Sequence, residues 1–216
     1  MSQEQHSQPL IFQYANANLK LVESVVLLAG VAAQENQRAD QAEQDAAYDH
    51  LTGLRSPRNF EATISTLLAA HDRRQHEPDS LVYIDFDEFK TINDTHGHPI
   101  GDLALTHVAG LISSRLRKSD IAGRIGGDES AIYMPGTTES QALVAAHSLV
   151  ELVSNSELAE IPEGITISVG VAQTTFLPDS LEALKDRADK ALYFAKEHGR
   201  NQAAGYFTDV KAPANH

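Results

Sequence analysis

The sequence predicts an α/β fold, in which a mixed, mostly antiparallel central sheet is flanked by helices and preceded by an N-terminal helical extension. Three observations support this prediction. From residue 49 onward, short β-rich apolar runs alternate with longer segments of helical periodicity. Near the middle of the chain, two such runs are separated by Gly126-Gly127, which is typical of a hairpin with positive φ at its tip. Residues 10–48 contain one glycine and no proline, as expected of a long helix.

The N-terminal helix, predicted over 10–48, has a spacing of four and three residues that favours pairing with a second helix. We therefore expect residues 1–48 to form a dimerisation and signalling stalk of a homodimer; a single amphipathic helix lying on its own domain is the alternative. Residues 25–33 form the longest apolar run, which is too short to cross a membrane. The members of the seam, most of them apolar, are Tyr14, Asn18, Leu21, Val25, Leu28, Ala32, Glu35, Ala39, Ala42 and Ala46.

Residues 49–208 are predicted to form the second domain, followed by a frayed tail over 209–216. Ser56-Pro57 is typical of a helix start, and Thr138 with Gln141 of a capping box. The predicted elements are, in order, a helix over 57–74, a strand over 81–86, a helix over 100–116, a hairpin over 121–134, a helix over 138–153, a strand over 165–172, a last helix capped by Asp179 and ending near His198, and a short strand near 205–207.

Composition limits the classes of function. The chain has 216 residues and a formal net charge of -13, which argues against nucleic acid as a partner, because phosphate backbones are bound by clustered Lys and Arg. A small phosphate ligand remains compatible with this charge. The absence of cysteine excludes disulfide and thiolate chemistry. With a polar N-terminus that does not resemble a signal peptide, these features lead us to expect a cytoplasmic protein.

Acidic residues end two of the predicted strands. Asp85 and Asp87 follow one apolar run, and Asp128 and Glu129 follow the two glycines of the hairpin. If the two strand ends meet at one edge of the sheet, their carboxylates provide the oxygen ligands that divalent cations prefer. A metal site beside flexible glycine backbone indicates phosphate chemistry. The alternative is that these acids are merely solvated turn residues.

Five blocks of sequence, in order, resemble those of the GGDEF-domain diguanylate cyclases, and the resemblance extends over about residues 49–206. It implies a fold like the palm of polymerases and adenylyl cyclases, with a ferredoxin-like core. It also implies a nucleotidyltransferase that condenses two GTP into cyclic di-GMP and releases two pyrophosphates. The blocks are residues 49–54 (DHLTGL), 85–90 with 92–94 (DFDEFK and IND), 97–98 with 101–102 (GH and GD), 124–129 (RIGGDE), and 187–196 with 199–201 (RADKALYFAK and GRN).

The resemblance also implies the catalytic and metal-binding residues. Asp85 and Asp128 would bind metal together with the backbone carbonyl of Phe86, and Glu129 would bind a second ion. Two Mg²⁺ or Mn²⁺ ions per active site are therefore expected. Two metal ions can lower the pKa of an attacking hydroxyl and clamp a leaving pyrophosphate.

The substrate contacts are implied in the same way. Asn93 and Asp102 match the positions that bind guanine, and the chemistry fits because a carboxylate can accept from guanine N–H groups. The alternative is that they cap turns beside residues 97–98. The phosphate contacts would come from Lys90, Lys196 and Arg200, from the backbone at Gly126 and Gly127, and from a nest of N–H groups over 86–89. For Lys196 and Arg200 the alternative is the favourable position of cations at a helix C-terminus.

Arg117 and Asp120 form an RxxD pattern six residues before the hairpin glycines. At this offset, the resemblance implies an allosteric site at which the product, cyclic di-GMP, inhibits the enzyme. Arg can bind phosphate or a guanine edge, and Asp can accept from guanine N–H. As a bare string the pattern is common and carries little information.

Two departures from the family pattern leave the function open. Ser130 stands where the family has phenylalanine, which would remove about 2–4 kcal/mol of apolar burial from a dry site. The segment over 55–58 keeps only Arg58 of the usual local motif. The first hypothesis is an active, dimeric, metal-dependent diguanylate cyclase. The alternative is a catalytically poor domain that binds GTP or cyclic di-GMP as a regulatory module.

Overall fold

A computed structural model describes residues 18–20, 25–35, 47–70, 78–175 and 180–211. Its contacts divide the chain into two units, residues 1–45 and 46–216. In the first unit, 18–20 and 25–35 are helical, as predicted. The seam residues Val25 and Leu28 are exposed within the single chain, and Leu21 lies outside the described residues. None of the described helices is both long and apolar enough to span a membrane.

The second unit has five helices and five strands among its described residues. The sheet order is β2-β3-β1-β4-β5, with only the β4–β5 pair parallel. The predicted mixed, mostly antiparallel sheet is therefore confirmed. In chain order the elements are α1 (Pro57–Ala70), β1 (Ser80–Phe86), α2 (Phe89–His96), α3 (His98–Arg115), β2 (Ile121–Arg124), β3 (Glu129–Met134), α4 (Glu139–Ser154), β4 (Ile167–Gln173), α5 (Leu181–Glu197), β5 (Ala203–Gly205) and a π-helical turn (Tyr206–Val210).

Helices cover both faces of the sheet, and every residue of the central strand β1 is therefore buried. Val82 and Ile84 pack in the core with α3 and α4, whereas Leu81 and Tyr83 pack on the other face with α1 and α5. A Cβ at Gly170 of β4 would overlap the backbone of α5 at Ala188 and Leu192. The absence of a side chain at Gly170 thus lets α5 lie close against the sheet. Lys196, in the last turn of α5, can then contact Asp85 at the end of β1.

Several boundaries differ from the prediction. Residues 89–96 form α2, a helix that the sequence does not predict, and it ends at Gly97, whose positive φ (84°) turns the chain into α3. The side chain that caps α5 belongs to Ser180, which accepts from the Ala183 N–H, whereas Asp179 lies outside the described residues. The last strand ends at Gly205 instead of beginning there. The predicted capping box of Thr138 and Gln141 is confirmed.

Candidate active site

The end of β1 and the start of β3 lie side by side. Asp85 pairs with Glu129 in the antiparallel register, although the two are far apart in sequence, and Asp128 immediately precedes β3. Side chains of directly paired residues project to the same face of a sheet. The structure thus brings these predicted acids to one edge. Asp87 behaves differently, because its carboxylate accepts from protein groups on both oxygens.

Asp85, Asp128 and Glu129 form what we call the acidic edge, and their negative charges repel one another. Asp85 is 7% exposed, and burial raises its pKa, an effect that the Lys196 ammonium opposes from 2.7 Å and that Asp128 and Asp87 reinforce. Burial also raises the pKa of Glu129, with further contributions from the charges of Asp85 and Asp128. Three carboxylates therefore share one ammonium, and a bound cation would relieve their repulsion.

The donor set fits a hard divalent cation. Carboxylate oxygens are the ligands that Mg²⁺ prefers, and this ion needs few protein ligands because it keeps several waters. Within the described residues, no three acidic or histidine side chains are already gathered as a metal-binding cluster, and Asp85 is instead bound by Lys196. The chemistry of the residues matches the predicted metal, and burial together with the neighbouring carboxylates raises the pKa values of Asp85 and Glu129.

The hairpin tip differs from the predicted tight turn. Neither Gly126 nor Gly127 has positive φ, because the connection is a four-residue loop closed by the hydrogen bond from the Ile125 N–H to the Glu129 carbonyl (2.9 Å). Longer loops do not require the primed turns of two-residue hairpins. Glycine has another use at position 126, where a Cβ would overlap the Glu129 carboxylate. Open space surrounds the Cα of Gly127.

Arg124 holds this loop through contacts that sequence reasoning did not assign. Its guanidinium donates to the Gly127 carbonyl (2.6 Å) and to both carboxylate oxygens of Asp49 (3.1 and 3.2 Å). Asp49 also accepts from the N–H and hydroxyl of Thr52. Both Asp49 and Arg124 lie inside the blocks that carry the family resemblance, but nothing in their spacing indicates that they pair. The result is a clamp between the start of the second unit and the hairpin tip.

The Asp49–Arg124 clamp predicts a pH-dependent contribution to stability. Burial opposes the shift, but hydrogen bonds from Thr52 and Arg124 hold the pKa of Asp49 below its ordinary value of 3.8. A depressed pKa stabilises the fold above pH 3.8 and loses that effect as pH falls through the folded-state value. Asp49→Asn should therefore lower the free energy of unfolding by about 1–2 kcal/mol at pH 7. Urea unfolding should show this difference shrinking below pH 3.8, and a constant difference would contradict the prediction.

Asn93 of α2 lies against Gly101 of α3, the residue before Asp102. A Cβ at Gly101, beside Asp102, would overlap the side-chain oxygen of Asn93. The start of α3 has no side-chain cap, and the Gly97 N–H is accepted by the backbone carbonyl of Asn93. Neither side chain therefore caps this turn, and guanine binding by the two residues stays a prediction. The Asp102 side chain is on the exposed surface.

The phosphate candidates are distributed around the ends of α2 and α5. Lys90 is exposed on α2, Lys196 lies in the last turn of α5, and Arg200 lies in the turn that follows. Arg200 lines a cleft of about 350 Å³ with Glu88, Thr91 and Glu163 among its neighbours. The predicted nest over 86–89 is incomplete, because the N–H of Asp87 is already donated to the Thr166 carbonyl (2.9 Å).

The RxxD residues form one surface turn between α3 and β2. The N–H of Arg117 donates to a carboxylate oxygen of Asp120 (2.8 Å), and the N–H of Asp120 donates back to the carbonyl of Arg117 (3.0 Å). The side chain of Arg117 is exposed. Ser130, the departure in the family motif, is half-buried and pairs with Ile84 across the β1–β3 ladder.

Comparison with known proteins agrees with this geometry. The family model described as the GGDEF domain of diguanylate cyclases matches residues 46–202. The chain is 32% identical over 198 residues to diguanylate cyclase A of Treponema denticola, which covers 88% of this chain and 51% of that protein. It is 38% identical over 165 residues to the response regulator PleD of Caulobacter vibrioides, which covers 74% of this chain and 36% of that protein. The chain thus spans about half and about a third of these two relatives.

Solved structures are similar as well. The coiled coil and GGDEF domain of DgcB from Caulobacter crescentus, in complex with c-di-GMP, gives a TM-score of 0.77 at 27% identity and covers 86% of this chain and 98% of that one. The active GGEEF domain of a diguanylate cyclase from Vibrio cholerae gives 0.66 at 31% identity and covers 70% and 96%. The family model matches most of the chain, and the relatives and the acidic residues at the strand ends agree with it. The chain therefore belongs to the GGDEF domain family of diguanylate cyclases.

Proposed function

We propose that this chain is a metal-dependent, dimeric diguanylate cyclase that converts two GTP into cyclic di-GMP and two pyrophosphates. The observation that carries the proposal is the pairing of Asp85 with Glu129 at one sheet edge, beneath the ammonium of Lys196. A carboxylate pair with raised pKa values next to a cation suits a site that binds both a metal and a triphosphate. The relative named diguanylate cyclase A supports the reaction.

Each step of the reaction forms a bond between a ribose 3′-oxygen and the α-phosphorus of the other GTP, and breaks the bond from that phosphorus to pyrophosphate. The hydroxyl proton passes to solvent water, and two such steps close the ring. Asp85, Asp128, Glu129 and the Phe86 carbonyl would hold the divalent ions. These ions, when bound, lower the pKa of the hydroxyl and neutralise charge on the leaving pyrophosphate. Asn93 and Asp102 orient the guanine.

The cations hold the triphosphate in place. Lys196 is bound to Asp85 in the structure, so an arriving phosphate competes for the same ammonium. Arg200 is exposed and lines the cleft beside α2, from which Lys90 also projects into solvent. Removing water and fixing the α-phosphorus in line with a hydroxyl supplies much of the rate gain in such reactions. Because one domain holds one GTP, a second domain must face it, and the N-terminal helix would align the pair in a homodimer.

The experiment that tests this function is incubation of the purified chain with GTP and MgCl₂. We expect chromatography to show cyclic di-GMP and pyrophosphate in a ratio of one to two, and EDTA to stop their formation. The alternative function, a regulatory module that binds GTP or cyclic di-GMP without turnover, is favoured only by Ser130 beside Glu129. Measurable GTP binding without product would support that alternative, and no binding would contradict both.

The RxxD turn predicts product inhibition. Replacing Arg117 with Ala should raise the inhibition constant for cyclic di-GMP by about tenfold or more, because a guanidinium bound to phosphate is a charge-assisted contact. The uninhibited rate should change little, since Arg117 lies on a surface turn outside the acidic edge. Lys118→Ala is the matched control, because it removes a neighbouring exposed cation that is not part of the pattern. Equal inhibition of both variants and the parent would contradict the site.

A further inference from the structure

Asp87 stands two residues after Asp85 but is engaged with the protein instead of the acidic edge. Its side chain is 9% exposed. One carboxylate oxygen accepts from the hydroxyl of the fully buried Ser168 (2.6 Å), and the other accepts from the backbone N–H of Asn201 (3.0 Å). Buried carboxylates are costly unless hydrogen-bonded, so these two contacts account for the charge in this position.

The Asn201 contact ties Asp87 to the turn that presents Arg200. Both Arg200 (φ 60°) and Asn201 (φ 44°) are in the left-handed region, which disfavours residues with a Cβ and persists only where surrounding contacts hold it. The N–H of Arg200 donates to the Ala195 carbonyl (3.1 Å), which closes the end of α5. The next N–H, that of Asn201, is held by Asp87.

The hydrogen bonds from the N–H groups of Arg200 and Asn201 hold the turn in which Arg200 lines the cleft of about 350 Å³ beside α2. Arg200 and Asp87 both line it, together with Glu88 and Thr91 of the β1–α2 connection and the first turns of α2. The guanidinium of Arg200 forms no ion pair with any residue in the described part of the chain, and its side chain is exposed. An unpaired guanidinium on a strained turn is available for an anion that enters the cleft.

We propose that Asp87 is a positioning residue for Arg200: by accepting the Asn201 N–H, it holds the left-handed turn in which the Arg200 guanidinium meets the terminal phosphates of GTP. This inference rests on the proposed function of the site, because it assumes that the bound nucleotide carries its phosphates toward Arg200. Asp87 itself does not touch the nucleotide. Its removal should therefore weaken the phosphate contacts and leave guanine binding unchanged.

The test is a double-mutant cycle read by calorimetric binding, in MgCl₂, of GMP and of a GTP analogue whose α,β-bridging oxygen is replaced by CH₂, so that no pyrophosphate can leave. Arg200→Ala should raise the dissociation constant of the GTP analogue about tenfold, the effect of one lost charge-assisted contact. Asp87→Ala should raise it by about the same factor, and the double variant no further. GMP, which lacks the terminal phosphates, should bind all four proteins with similar affinity.

Matched variants separate positioning from stability. Asp87→Asn should restore affinity to within about threefold, because an amide can still accept from Asn201 and donate to Ser168. Ser168→Ala removes only the other hydrogen bond of Asp87 and should lower the thermal midpoint without changing the affinity for the GTP analogue. If Asp87→Ala does not fold, Asp87→Ser, whose shorter hydroxyl cannot reach both partners, takes its place in the cycle.

The binding cycle can fail while the cyclase assay succeeds, and the reverse is also possible, so the two proposals are tested separately. Equal weakening of the GTP analogue and GMP, or additive effects of Asp87→Ala and Arg200→Ala, would overturn the inference even if the chain makes cyclic di-GMP. The expected binding cycle in a chain that yields no cyclic di-GMP with Mg²⁺ would support the inference and overturn the cyclase. A parent protein that binds no GTP would overturn both.

Discussion

Replacing Asp128 with Ala should lower the rate of cyclic di-GMP formation by about a thousandfold, because loss of the proposed metal ligand would remove several kcal/mol of charge stabilisation from the transition state. The fold should survive the change. Asp128 raises the pKa values of Asp85 and Glu129, so its removal relieves repulsion at the acidic edge. Glu151→Ala, which removes an exposed acid from α4, is the control and should leave the rate unchanged.

Thermal unfolding gives a readout of Asp128→Ala that does not depend on turnover. Without metal, the variant should unfold at or above the midpoint of the parent protein at pH 7, since fewer like charges crowd the edge. Added Mg²⁺ should raise the midpoint of the parent, because a ligand that binds only the folded state stabilises it. The same addition should raise the midpoint of the variant less. A variant with full activity, or with an unchanged response to Mg²⁺, would contradict the metal assignment.

Replacing both Val25 and Leu28 by Asp should convert the proposed dimer to a monomer. At micromolar protein concentration, the rate of cyclic di-GMP formation should fall by about a hundredfold or more. Both residues belong to the predicted seam and are more than half exposed in the single chain (56% and 69%). Burying two carboxylates in a paired-helix seam costs far more than the apolar contacts contribute. The rate should fall because two GTP-loaded domains must meet for each bond that forms.

Leu27 supplies a matched control for the seam. It is equally exposed, at 70%, and lies in the same helical segment, but it is not a seam position. Leu27→Asp should leave both the mass measured by light scattering and the rate nearly unchanged. If Val25→Asp/Leu28→Asp remains dimeric, or if a monomer retains the full rate, then the N-terminal helix does not align the domains. A rate that recovers at high protein concentration would support the proposed role.

The hairpin shows how much of the local structure could be predicted. Two apolar runs around Gly126-Gly127 predict paired strands because their side chains alternate and pack on neighbouring elements, and the structure has those strands. The conformation of the tip could not be predicted in the same way. Loop length decides the turn type, and four residues separate the end of β2 at Arg124 from the start of β3 at Glu129. The glycine at 126 has no positive φ, and a Cβ there would overlap the Glu129 carboxylate in its present position.

Helix α2 illustrates a second limit of local reasoning. Its apolar pattern is short, and the sequence places Gly97 and Pro99 immediately after it. One left-handed glycine is enough to end one helix and start the next, so a break that looks like an irregular segment is a sharp corner. That corner brings Asn93 against Gly101, the residue before Asp102, which spacing alone leaves undetermined.

The sequence by itself determined the types of most elements, the class of the sheet, the family and the acids of the candidate site, because periodicity and motif residues are properties of neighbours along the chain. Only the tertiary structure decided which polar groups meet: Arg124 with Asp49 across 75 residues, and Asp87 with Asn201 across 114. Partners of buried charges are selected by proximity in the folded molecule and by the cost of leaving them unpaired, and the order of residues encodes neither directly.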